Sequence, residues 1–191
     1  MKFPLLMMPE QPLKHLIAAA FICASANFSS FASADINILC STDPDWCESK
    51  VREFSVQTGI KVNLVRKATG EVFAQLKTEA ANPKADVWYG GTYDPHLQAA
   101  NKGLPQPYVG TNMKDQYPWS TDLLVKSGNQ VLGIYRITLG FGFNRDLLAK
   151  KKLAAPTCWS DLIKPEFKGD VETSNPATSG TAHTIIATLV Q

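Results

Sequence analysis

The chain has 191 residues, 45% apolar and 19% charged, with 19 Lys+Arg against 17 Asp+Glu and a formal charge of +2. That composition is globular and excludes disordered, collagenous and disulfide-dense classes. The cations form no cluster, so the concentrated basic face that nucleic-acid binding needs is missing, and the length allows one ordinary domain or one and a fraction.

Lys2 and Lys14 flank a short polar lead, and an alanine-rich apolar run from Leu16 to Ile22 continues to the small-residue triplet Ala32-Ser33-Ala34. Residues 1–34 therefore read as a secretory signal peptide cleaved near Ala34, and the mature protein is expected in the periplasm. Ser25, Asn27, Ser29 and Ser30 interrupt the run, which makes it a poor membrane span. Cys23 raises a lipid-anchored form, but Ile22 stands where a small residue would precede the lipidated cysteine.

Next, Ile36–Cys40 is a strand candidate, and Trp46, Val51, Phe54 and Val56 recur at helical spacing until Thr58-Gly59. Cys40 closes the strand and Cys47 falls early in the helix, so a local Cys40–Cys47 bridge is feasible in an oxidising compartment, with Cys158 left as a free buried thiol. No CxxC pair or His/Cys cluster accompanies them, so zinc is not expected, and no metal or cofactor is assigned. Ile60–Val65 alternates apolar and polar as a second strand. A second helix starts near Thr69-Gly70-Glu71 and stops at Asn82-Pro83, residues 85–89 form a third strand, and Asp94-Pro95 opens a third helix running to Asn101. This β-α-β-α-β-α beat with short connections predicts an α/β fold, a parallel sheet covered by helices on both faces.

Residues 104–128 read as surface loop with one short helix. Val131–Tyr135 and Leu139–Phe143 follow as strands, Gly140 and Gly142 marking close backbone packing inside the second. Trp159–Ile163 reads as a short helix, Asp170–Thr173 as a strand, and Ser179 begins a last helix whose Ala182, Ile185, Ile186, Leu189 and Val190 make an apolar face. That helix reaches Gln191 with no cap and nothing to bury it, which predicts a piece of a longer protein.

Ligands of open α/β sheets bind outside the carboxyl ends of the strands. The loops placed there are rich in glycine and hydroxyls: Ser41-Thr42-Asp43, Thr69-Gly70-Glu71, Gly91-Thr92 with Asp94, and Thr178-Ser179-Gly180-Thr181. Free N–H groups at helix starts with hydroxyls beside them suit an anionic oxygen, although the same residues are ordinary helix caps. Trp88, Tyr89 and Tyr93 either stack on a ligand or pack the rim, and His96 and His183 read as capped or half-buried helix residues. No nucleophile-elbow, zincin, P-loop or dinucleotide motif occurs, and no acid/base pair accompanies Ser179, so no catalytic residue is assigned.

Leu139-Gly140-Phe141-Gly142-Phe143-Asn144-Arg145-Asp146-Leu147-Leu148 and Cys158-Trp159-Ser160-Asp161-Leu162 follow this α/β beat. Together with Leu39-Cys40-Ser41, Trp46-Cys47, Thr69-Gly70-Glu71, Val87-Trp88-Tyr89-Gly90-Gly91-Thr92, Asp94-Pro95-His96-Leu97, Lys168-Gly169 and Ser174-Asn175-Pro176, they resemble the extracellular solute-binding proteins of ABC importers. The resemblance is to the ferric-iron branch and, within it, the sugar-phosphate binders. It implies a type II periplasmic-binding-protein fold, two α/β lobes joined by crossing strands near residues 138–146 and closing on ligand by hinge motion. Residues 35–143 would be the first lobe with hinge strands, and 144–191 the opening of an incomplete second lobe.

The resemblance also implies that Ser179-Gly180-Thr181 holds a phosphate or the synergistic anion of a bound metal, faced by Ser41-Thr42 and Gly91-Thr92 from the other lobe. Ferric binders of this branch carry a histidine in the first βα loop, where this chain reads Ser41-Thr42-Asp43. A sugar phosphate or similar organophosphate is therefore the expected ligand, with ferric iron as the alternative. The expected partners are that solute and an inner-membrane ABC permease, the binding protein itself being a monomer. An exported phosphate-ester hydrolase and a fragment without function are the remaining readings.

Overall fold

The computed structural model describes residues 35–190; the expected leader, with Cys23 and the cleavage site before Asp35, lies outside the described residues. β1 (Ile36–Cys40), β2 (Val62–Arg66) and β3 (Val87–Tyr89) form a parallel sheet in the order β2-β1-β3. Ile36 pairs with Val62, Ile38 with both Leu64 and Val87, and Cys40 with Tyr89, which puts these alternate residues on one face. β1 is thus bonded on both sides, and the reversal of direction at it is the switch point where such sheets leave a crevice.

α1 (Pro44–Thr58) starts where the Asp43 carboxylate accepts the Asp45 N–H and Pro44 supplies a preset φ. It ends at Gly59, whose φ of 70° is the left-handed cap that glycine adopts without strain. α1 covers the face of Ile36 and Ile38, leaving an apolar groove of about 220 Å³ lined in part by Ile38, Val51, Phe54, Leu64 and Val87. Cys40 and Cys47 are joined by a disulfide, their Cα atoms 6.2 Å apart. On the other face Leu39 is only 5% exposed, and right-handed crossover from β2 to β3 sends α2 (Thr69–Thr78) to that side.

α2 is capped by Glu71, whose carboxylate accepts the Ala68 N–H at 2.9 Å. Val72 on its inner side is fully buried, a placement that stabilises by about 1.5–3 kcal/mol. α3 (Tyr93–Asn101) packs against α2, and α6 (Gly180–Leu189) packs against α3. Residues 35–190 cluster as one unit.

The second half departs from expectation in four ways. Residues 131–143 and 170–173 form no strand among the described residues, because extended backbone becomes a strand only when a neighbour supplies ladder partners. Gly140 and Gly142 meet nothing within 4 Å of where a Cβ would stand, so no close packing selects them, although Phe141 between them packs edge-on to Trp159 at 5.3 Å. Cys158 is exposed rather than buried, its Sγ 3.0 Å from the Ser160 hydroxyl. Finally, α5 (Arg145–Lys151), capped by the Asn144 side chain on the Leu147 N–H, is a helix the reading lacked, whereas α4 (Pro118–Lys126), opened by its proline, is the short helix expected within 104–128. Trp159–Ile163 is a tight 3₁₀ turn.

The apolar face of α6 is only partly covered. Ala182 is 2% exposed, whereas Ile186 and Leu189 are 42% and 58% exposed.

Candidate functional site

Each glycine-hydroxyl loop follows a strand end or opens a helix, and the fold brings them together. Ser41 and Thr42 follow β1, Thr69 and Gly70 open α2, Gly91 and Thr92 lead into α3, and Thr178 to Thr181 lead into α6. A Cβ added at Gly91 would come within 2.7 Å of Thr69 Oγ1 and 3.1 Å of Ser41 Cβ. One added at Gly180 would overlap Thr92 Oγ1 and approach Thr69 Oγ1 to 3.2 Å. One at Gly70 would meet the carbonyl oxygens of Ala177 and Thr178 at 2.6 and 2.9 Å. These glycines are needed because the four loops approach closer than a Cβ permits, Gly70 against backbone and Gly91 and Gly180 against serine and threonine side chains.

Three hydroxyls surround the meeting point. Ser41 Oγ accepts the Trp88 indole N–H at 2.9 Å, which leaves the serine proton free to donate. Thr69 is 5% exposed. Thr92 Oγ1 is buried and has no hydrogen-bond partner among the described residues, a state that costs roughly 1–3 kcal/mol.

The peptide joining Gly90 to Gly91 is held at both ends. His96 Nε2 lies 2.8 Å from the Gly90 carbonyl oxygen, which can only accept, so Nε2 carries the imidazole proton. The Gly91 N–H donates to Tyr135 Oη at 2.8 Å, and that hydroxyl lies 3.3 Å from the Gly91 carbonyl oxygen. Burial holds the His96 imidazole below its ordinary pKa range, against the opposing pull of the Gly90 carbonyl. Its ring stacks on Trp88 with centroids 3.7 Å apart.

Not every expected donor is available. The Gly91 N–H is occupied by Tyr135, and the Gly70 N–H donates to the Thr178 carbonyl at 2.9 Å. The Ser179 side chain caps α6 by accepting the Ala182 N–H, and the Thr178 hydroxyl turns back to the Asn175 carbonyl. Thr181 is exposed at the first turn of α6, and Asp94 accepts the Thr184 hydroxyl at 3.2 Å, tying α3 to α6. Thr42 presses its side chain against Gly90 and receives the Arg66 Nε on its carbonyl at 2.9 Å. What remains is a donor set of Ser41, Thr69 and Thr92 hydroxyls plus helix-start N–H groups, suited to an oxyanion.

Of the aromatic candidates, Trp88 is committed to His96 and Ser41, and Tyr89 lines the apolar groove. Sequence reading missed Tyr135 and Arg66. Tyr135 sits in an extended segment with no periodic signal, and its ring meets Trp46 edge-on at 5.6 Å. Arg66 ends β2 beside the first loop, and only the parallel register reveals that proximity.

Comparison with known proteins gives a consistent picture. The family model for bacterial extracellular solute-binding proteins matches residues 82–191. A periplasmic protein of Salmonella typhimurium named for binding 2-aminoethylphosphonate is 29% identical over 87% of this chain and 48% of its own length. The structure of the periplasmic binding protein P5PA superposes with a TM-score of 0.78 at 36% identity, over 83% of this chain and 50% of that one. AfuA from Actinobacillus pleuropneumoniae, a periplasmic binding protein solved with fructose 6-phosphate, gives 0.72 at 36%, over 80% and 48%. The chain spans about half the length of the curated relatives it matches.

Proposed function

Because this chain belongs to the bacterial extracellular solute-binding proteins, we propose that it captures a small organophosphate where its four loops meet. The observation that carries this reading is the buried, unpartnered Thr92 hydroxyl, set beside Thr69 and the helix start at Gly180. Such a hydroxyl lacks a partner that an anionic oxygen would supply. Ferric iron favours hard anionic or imidazole ligands, which these neutral hydroxyl and N–H donors are not.

The reading extends to transport. The periplasmic relatives and the leader-like residues 1–34 support a periplasmic location, where the loaded protein would hand its solute to an inner-membrane ABC permease without chemical turnover. Gly180 lies too close to Thr92 for a phosphoryl group to stand between them. Access therefore requires α6 to retreat from α3, breaking the Thr184–Asp94 and Gly70–Thr178 hydrogen bonds; with residues 35–143 and 144–191 on two lobes, that retreat is the opening half of a hinge motion whose closure would hold the ligand. Titration calorimetry of the full chain with fructose 6-phosphate, 2-aminoethylphosphonate and ferric citrate is the test. Micromolar binding of an organophosphate and none of the ferric chelate is expected; no organophosphate binding, or binding of iron alone, overturns the reading.

A further inference from the structure

We propose that Tyr135 is a positioning residue for the site, fixing the orientation of the Gly90–Gly91 peptide; this rests on the organophosphate reading above. β3 ends at Tyr89, whose carbonyl still accepts the Ser41 N–H at 2.9 Å, and α3 begins at Tyr93; among the described residues the Gly90–Gly91 peptide itself has no backbone hydrogen bond. Both glycines have left-handed φ values, 75° and 99°, in a region where glycine moves with little penalty. The orientation is set by two side chains acting on one peptide plane. His96 holds its carbonyl and Tyr135 holds its N–H.

The consequence reaches the ligand donors directly. Gly91 is in contact with Thr69 and Ser41, and Thr92 is the next residue. A rotation of the Gly90–Gly91 plane therefore shifts the backbone that packs against Thr69 and Ser41 and carries Thr92 with it. Tyr135 is also half-buried and packed edge-on against Trp46 in the first turn of α1, so its ring is located independently of its hydroxyl. Ring packing and hydroxyl function can thus be separated by a single substitution.

Tyr135→Phe in the full chain keeps the ring on Trp46 and removes the Gly91 bond. Expected are a melting temperature within a few degrees of wild type, an upfield shift of the Gly91 amide proton, and a roughly five- to tenfold weaker Kd for fructose 6-phosphate. Wild-type binding matched by Tyr135→Phe, or a Gly91 amide unmoved by the substitution, overturns the positioning role alone. Failure of both proteins to bind overturns the organophosphate reading and the positioning role with it. Should Tyr135→Phe not fold, hydrogen exchange of wild type decides: the Gly91 amide must exchange more slowly than that of Gly140, and equal rates overturn the proposal.

Discussion

The indole N–H of Trp88 donates to Ser41 Oγ across the end of the sheet, at 2.9 Å. Trp88 is on β3 and Ser41 follows β1, so this bond fixes the serine rotamer from the neighbouring strand. Trp88→Phe retains a ring against His96 but frees the hydroxyl. Urea unfolding should report a loss of about 1 kcal/mol, and calorimetry a few-fold weaker fructose 6-phosphate binding.

Thr92 should respond with opposite signs in stability and binding. Thr92→Val replaces an unpartnered buried hydroxyl by a methyl of the same shape, so the ligand-free protein should unfold at equal or higher urea, gaining up to about 1 kcal/mol. Fructose 6-phosphate affinity should fall about tenfold. A parallel drop in both quantities would show that the hydroxyl has a structural partner instead.

Gly180 and Gly140 form a matched pair. Gly180→Ala places a methyl on Thr92 Oγ1 and against Thr69, whereas Gly140→Ala enters open space. The first should abolish measurable binding and lower stability by about 1–3 kcal/mol. Gly140→Ala should stay within about 0.5 kcal/mol and bind as wild type.

Acid should weaken the fold through His96. Its pKa lies below the ordinary imidazole range when folded, so the unfolded chain binds more protons as pH drops. The stability due to neutral His96 is complete above about pH 6.5 and declines below it. Melting temperatures from pH 7.5 to 5 should fall, and the fall should be smaller in His96→Gln. Asp35, Glu53 and Asp161, all held below the ordinary carboxylate range chiefly by hydrogen bonds from lysines, enter only at more acid pH.

Reduction should separate the Cys40–Cys47 link from the rest. The bridge closes a short loop between β1 and α1, for which the chain-entropy argument gives about 2–3 kcal/mol. Dithiothreitol, or Cys47→Ala, should lower stability by that amount while Cys158→Ser leaves it unchanged.

The first three strands and helices were legible because each is a local pattern: alternation in β2, an apolar stripe in α2, a glycine stop after α1. The loops that converge at the candidate site were legible as strand ends and helix starts for the same reason, since these use recognisable residues. Tyr135 was not, because its role depends on a long-range bond to Gly91 that leaves no periodic trace. Residues 131–143 misled for a related reason: Val, Ile, Tyr and Phe favour strands, yet propensity cannot supply the neighbouring backbone a ladder needs. Cys158 was read as buried from its residue type, but it opens an exposed 3₁₀ turn.

The double pairing of β1 divides the site mechanically. Ser41 follows a strand anchored on both edges, whereas Gly180 opens a helix that, among the described residues, is joined to α3 by the Thr184–Asp94 side-chain hydrogen bond. One jaw is therefore stationary and the other compliant, so thermal opening should release the Gly180 side first. Native-state hydrogen exchange would register this as stronger protection at Leu39 than at His183. On the proposed reading, opening of the site acts on α6 and leaves the sheet undisturbed.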